Sequence, residues 1–126
     1  MLGEAQDRGV RNLVVITGDR HQNYALDLKQ DYDAQRSPVV GTEFVGTSIS
    51  SGGDGGDQTP PIKALLAANP HLRFASGQRG YVRVTVDRHQ WRTDFRAVPY
   101  VLKKGAPVTT RASLVVEDGL PGVQAS

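Results

Sequence analysis

Apolar residues in this chain gather in short runs separated by polar and glycine-rich stretches. Residues 2–11 read as the end of a helix, with Gly9 where a C-terminal stop falls and Arg11 close behind. Leu13-Val14-Val15-Ile16 is a continuous, β-branched run and predicts a strand buried on both faces, ended by Gly18. Residues 23–28 alternate, with Tyr24, Leu26 and Leu28 on one face of a second strand. Residues 31–38 are a polar turn region. Residues 39–47 predict a third strand carrying Val39, Val40, Phe44 and Val45. Residues 48–59 are rich in Gly, Ser and Asp and predict a mobile loop. Pro60 and Pro61 open a helix over 62–68, and Asn69-Pro70 closes it. Tyr81, Arg83 and Thr85 then alternate with Val82, Val84 and Val86, which predicts a strand with a buried valine side. Trp91, Thr93 and Phe95 alternate with Arg92, Asp94 and Arg96, and the two runs predict an antiparallel hairpin turning at Asp87-Arg88-His89-Gln90. Residues 112–117 predict a last strand, and 119–126 read as a tail.

The pattern gives an α+β chain without repeats, 1–126 forming one unit. Nothing evident in it covers the first strand, yet a strand buried on both faces needs layers above and below. That is a first hint of a fragment.

Length and composition sharpen the picture. The 126 residues make one small domain or a piece of a larger one. The apolar share of 38% is low, and the 14 glycines bring it close to the usual range, which suits a folded, loop-rich domain. There is no cysteine, so thiolate ligands, disulfides and cysteine nucleophiles are excluded within this stretch. No apolar run approaches the ~18 residues of a membrane span. Met1-Leu2-Gly3-Glu4 turns polar at once and does not read as a signal peptide. A net charge of +2 is too small to argue for a nucleic-acid partner. Arg79, Arg83, Arg88, Arg92 and Arg96 read as a solvated sheet face.

The chemistry-bearing segment is Gly18-Asp19-Arg20-His21, directly after the buried run. A carboxylate and an imidazole stand two positions apart. In extended backbone they point the same way, with Cα atoms roughly 6.5–7 Å apart. That is wide for one ion and suits two neighbouring ions at the ~3.5–4 Å spacing of two-metal hydrolases. By itself Asp-x-His is a weak signal, and spacing alone favours a loop aspartate and a surface histidine that do nothing. Ser48, Ser50 and Ser51 have no placed histidine to activate them and do not read as nucleophiles. His71 and His89 fall in turns and read as exposed; Trp91 and Tyr81 read as core or cross-strand residues.

Several segments together resemble PhoD-like phosphatases. They are Gly18-Asp19-Arg20-His21, the run from Ser37-Pro38-Val39-Val40-Gly41-Thr42-Glu43-Phe44-Val45-Gly46-Thr47 into Ser48-Ile49-Ser50-Ser51-Gly52-Gly53, then Arg79-Gly80-Tyr81-Val82-Arg83. Trp91-Arg92-Thr93-Asp94-Phe95-Arg96, Val98-Pro99-Tyr100-Val101 and the stretch around Thr110-Arg111-Ala112-Ser113 follow in the family's order. The resemblance implies the C-terminal portion of a four-layer metallophosphoesterase β-sandwich flanked by helices. It implies hydrolysis of phosphate mono- and diesters at alkaline pH, export from the cytoplasm, and iron and calcium as cofactors. Asp19 and His21 then become metal ligands, His21 assigned to iron and Asp19 to calcium. Arg20 stands where a small apolar residue is common in the family. It is a weak candidate for holding a phosphate and otherwise points to solvent. Glu43 and Phe44 receive no catalytic role.

The family's other ligands, an early carboxylate with neighbouring Cys or Tyr, a Gly-Asp-x-x-Asp-like turn and an Asn-x-Glu or Asn-Asp turn, have no match in this chain. The expectation is a fragment whose missing N-terminal part holds the rest of the site, inactive alone. The alternative is a small metal- or phosphate-binding module that keeps half a site.

Overall fold

The computed structural model describes residues 12–32 and 37–125. The helix expected over 2–11 and part of the 31–38 turn region lie outside the described residues. Among the described residues the chain is mostly β, with a single helix. Among these residues the helices expected outside a sandwich are represented by one short helix on one face. Among the described residues no helix is long and apolar enough to cross a membrane.

Two four-stranded sheets make the frame. The first runs β1 (Val14–Thr17), β3 (Val39–Val45), β2 (Asn23–Lys29), β4 (Leu72–Ser76) from edge to edge. β1 is parallel to β3, and the other pairs are antiparallel. The second sheet is a meander of β5 (Arg79–Val86), β6 (Gln90–Val98), β7 (Thr109–Glu117) and β8 (Leu120–Ala125). The expected 87–90 turn joins β5 and β6. Its Asp87 carboxylate accepts the His89 and Gln90 amides at 2.7 and 2.9 Å, which holds this carboxyl below its usual range.

Phenylalanines join the sheets. Phe44 and Phe74 from the first meet Phe95 from the second, with ring centroids 6.3 and 4.9 Å away in tilted geometry. Ala25, Val116 and Val123 complete this buried cluster. Asp27 adds a polar pin between the sheets: its buried carboxylate accepts the Val123 amide at 2.8 Å and Arg73 at 3.2 Å. On the outer face of the first sheet, helix α1 (Pro60–Ala68) buries Ile62 against Leu72 and Ala75. Its prolines occupy the first turn, where missing N–H groups cost nothing. Asn69 closes it by donating to the Leu65 carbonyl at 2.9 Å.

Four expectations are corrected. β1 is an edge strand, half-buried at Val14 and Val15 and open at Ile16, which is 55% exposed. No described strand pairs with its outer edge, and its burial is partial, so the run that reads as doubly buried is only half-covered among the described residues. Residues 72–76, too short to stand out between Pro70 and Gly77, form β4. Residues 120–125 form β8 and are not a tail. Pro121 and Gly122 weigh against a strand, but β8 is the edge of its sheet, where a missing donor is tolerated. The valine side of β5 is only half-buried at Val82 and Val84, and Val86 is exposed.

Carboxylates tie the second sheet together. Asp94 of β6 faces Arg83 of β5 in register and accepts from its Nε and Nη2 at 3.2 and 3.1 Å and from Ser113 Oγ of β7 at 2.6 Å. Burial pushes the Asp94 carboxyl up, but the Ser113 and Arg83 hydrogen bonds outweigh it and hold it below the usual range. Asp57, which reaches Ser76 and Arg111, follows the same balance.

Two outcomes follow from this packing. Phe95→Ala should destabilise the chain by about 3–5 kcal/mol in urea unfolding, because it empties the centre of both sheets. Asp94 and Asp57 have depressed folded-state values, so their contribution is present in full above the unfolded carboxyl range. It is lost as pH falls below about 4 and through their folded values. Urea midpoints measured down to acid pH should show that fall, and Asp94→Asn should shrink its size while lowering stability at neutral pH.

Candidate metal-ligand loop

β1 ends at Thr17, whose hydroxyl donates to the Glu43 carboxylate of β3 at 2.7 Å. This gives Glu43 a structural partner. The chain then bends through 18–22 before entering β2. Asp19 and His21 both have positive φ, 73° and 57°. The backbone there is not extended, so the period-two geometry expected from the sequence does not apply. Left-handed backbone is uncommon for residues other than glycine, although Asp and His tolerate it better than most. Such conformations persist where the surroundings fix them, and they collect at functional sites.

Asp19, Arg20 and His21 are all exposed. Among the described residues, neither the Asp19 carboxylate nor the His21 imidazole has a hydrogen-bond or ion-pair partner. A hard oxygen donor and a borderline nitrogen donor, both uncommitted and accessible on one turn, fit metal binding by type. They do not complete it by number. Among the described residues no group of three or more His, Asp or Glu is placed to hold an ion. Arg20 lines a shallow hollow of about 210 Å³ with Tyr24, Leu26, Leu65 and His71, on the side covered by α1. His71 is half-buried there against the Tyr32 ring, while His89 is exposed as expected.

Behind the turn lies a network that sequence reasoning missed. Arg79, read as one of a solvated stripe, is 7% exposed. Its Nη1 donates to the His21 carbonyl at 2.6 Å and to the Gly77 carbonyl at 3.2 Å. Its Nε donates to the Gly53 carbonyl at 2.9 Å and its Nη2 to the Gly52 carbonyl at 3.3 Å. Asn23, also buried, works beside it: its amide donates to the Gln78 carbonyl at 3.1 Å, and its oxygen accepts the Thr47 amide at 3.2 Å. The available clue was the glycines around Arg79, at 77 and 80, which allow close backbone approach. A Cβ on Gly80 would stand 1.9 Å from the Arg96 carbonyl oxygen, and one on Gly77 would stand 2.5 Å from that of Gly56.

The Gly/Ser segment 48–59, expected from composition to be mobile, carries several anchors. The Asp54 carboxylate accepts the Val101 and Leu102 amides at 2.7 and 2.9 Å, which holds it below the usual range. Asp57 accepts from Ser76 Oγ at 2.8 Å and pairs with Arg111 at 2.9 Å. Ser48 donates to the Ser51 carbonyl and is not poised as a nucleophile.

Comparison with known proteins agrees with this frame. The sequence profile of the PhoD-like phosphatases matches residues 1–95. The chain is 43% identical over 119 residues to alkaline phosphatase D of Bacillus subtilis (strain 168), covering 94% of this chain and 20% of that protein. A solved structure described as PhoD superposes with a TM-score of 0.91 at 41% identity, over 98% of this chain and 24% of that one. The chain thus spans about a fifth of the length of its curated relative. With a family match over most of its length and the same fold at high identity, the chain belongs to the PhoD-like phosphatase family.

Proposed function

We propose that this chain supplies one ligand loop, Asp19 and His21, to a two-metal phosphoesterase centre whose remaining ligands come from segments outside it. The observation that carries the reading is the uncommitted carboxylate and imidazole on one strained turn at the end of β1. The share of the relative that the chain spans is consistent with a donor set left incomplete. Metal ions bound there would supply Lewis-acid polarisation of a phosphoryl group. The Asp19 carboxylate would hold the harder ion, calcium, and the His21 imidazole would hold iron. Arg20, exposed between them, carries a positive charge within the same turn and would steer an anionic phosphate mono- or diester toward it. With only two donors the isolated chain would bind metal weakly and would not turn over substrate. Export from the cytoplasm is proposed for the protein on family resemblance alone.

Thermal unfolding of the 126-residue chain, titrated separately with calcium and with iron, tests the reading. At least one ion should raise the midpoint saturably, because a ligand that binds only the folded chain stabilises it. The shift should fall at least tenfold in apparent affinity in His21→Ala or Asp19→Ala. The same samples should show no hydrolysis of p-nitrophenyl phosphate at alkaline pH. A midpoint shift that survives both substitutions, or turnover by the chain alone that Asp19→Ala abolishes, contradicts the proposal.

A further inference from the structure

We infer that Arg79 is the positioning residue of the ligand loop: its buried guanidinium sets the left-handed backbone of His21 and thereby the direction of the imidazole. This inference rests on the metal-ligand reading of that loop for its purpose, but the geometry that carries it is independent of any metal.

A buried guanidinium normally pairs with a carboxylate, because an unpaired charge taken out of water is costly. Among the described residues no carboxylate pairs with Arg79. Its charge is met by the carbonyl oxygens of His21, Gly52, Gly53 and Gly77, with the Thr47 hydroxyl at the long distance of 3.4 Å. Three backbone segments thus converge on one planar fork with fixed donor directions. The shortest of these bonds, 2.6 Å, goes to His21. Hydrogen bonds from a charged donor are the stronger kind, and this one fixes the orientation of the peptide group that His21 shares with Gln22.

The local sequence is arranged for the fork. Gly52 and Gly53 have φ of +88° and +76°, and their carbonyls turn toward Arg79. A Cβ on Gly52 would come 2.7 Å from Nη2 and push the guanidinium away, and the φ of +88° itself favours glycine. Arg79 opens β5, whose pairing with β6 fixes its backbone from Arg79↔Val98 onward. The second sheet therefore holds the turn of the first through one side chain. A lysine would keep the charge, but it lacks the planar fork and cannot reproduce this bridging geometry.

Backbone chemical shifts and HN–Hα couplings of the isotopically labelled chain, recorded without metal, test this for Arg79→Lys, Arg79→Met and Asp57→Asn. Asp57→Asn loosens the same glycine-rich segment without touching His21. In the unsubstituted chain Asp19 and His21 should report left-handed backbone. Both Arg79 variants should move residues 18–22 toward random-coil values while β6 and β7 keep their shifts, and Asp57→Asn should leave 18–22 unchanged. Mn²⁺ added as a paramagnetic probe should broaden Asp19 and His21, with at least tenfold more Mn²⁺ needed in Arg79→Lys. The inference is overturned by an unordered 18–22 turn in the unsubstituted chain, by a turn that Arg79→Lys leaves intact, or by an equal loss in Asp57→Asn. Absence of Mn²⁺ broadening while the turn still depends on Arg79 sinks the metal reading and leaves the positioning role standing.

Discussion

A guanidinium that meets no carboxylate among the described residues must find oxygen elsewhere, and the carbonyls that answer Arg79 come from parts of the chain far apart in sequence. His21 follows β1, Gly52 and Gly53 follow β3, and Gly77 follows β4. Each segment leaves the first sheet, whereas Arg79 begins the second. The connections at this end of the sandwich are therefore not independent loops. They share one donor group, and the turn with the candidate ligands is among its acceptors.

The hydrophobic contact between the sheets makes this possible. Phe44, Phe74 and Phe95 fix how the sheets face each other, and Asp27 joins β2 to β8 by a buried hydrogen bond. Non-directional burial sets the distance between layers, and a few directional polar contacts set their register. Asn23, at the start of β2, extends the same logic to Thr47 and Gln78. The strain of two residues with positive φ is tolerable in a turn held this way.

How much of this the sequence displays depends on the kind of interaction. The β5–β6 hairpin is legible because Val82, Val84, Thr93 and Phe95 alternate over a long enough run. The helix after Pro60-Pro61 is legible because proline marks its first turn. β4 and β8 are hidden, one by brevity and the other by Pro121 and Gly122 on an edge. β1 misleads because an apolar run does not say how many layers cover it. The Asp19 and His21 pair stands out as a motif, but its backbone was misjudged, since αL geometry in a non-glycine residue leaves no trace in periodicity. The role of Arg79 is hard to read because its partners are carbonyl oxygens, which every residue carries, and only the flanking glycines at 77 and 80 hint at it.

The turn after β1 is proposed to offer its carboxylate and imidazole to a cation, and anomalous diffraction from crystals of the chain soaked in Mn²⁺ would locate that cation. An anomalous peak is expected within coordination distance of the His21 imidazole or the Asp19 carboxylate. Well-ordered side chains that diverge from each other, with bound ions only at other carboxylates, would contradict it.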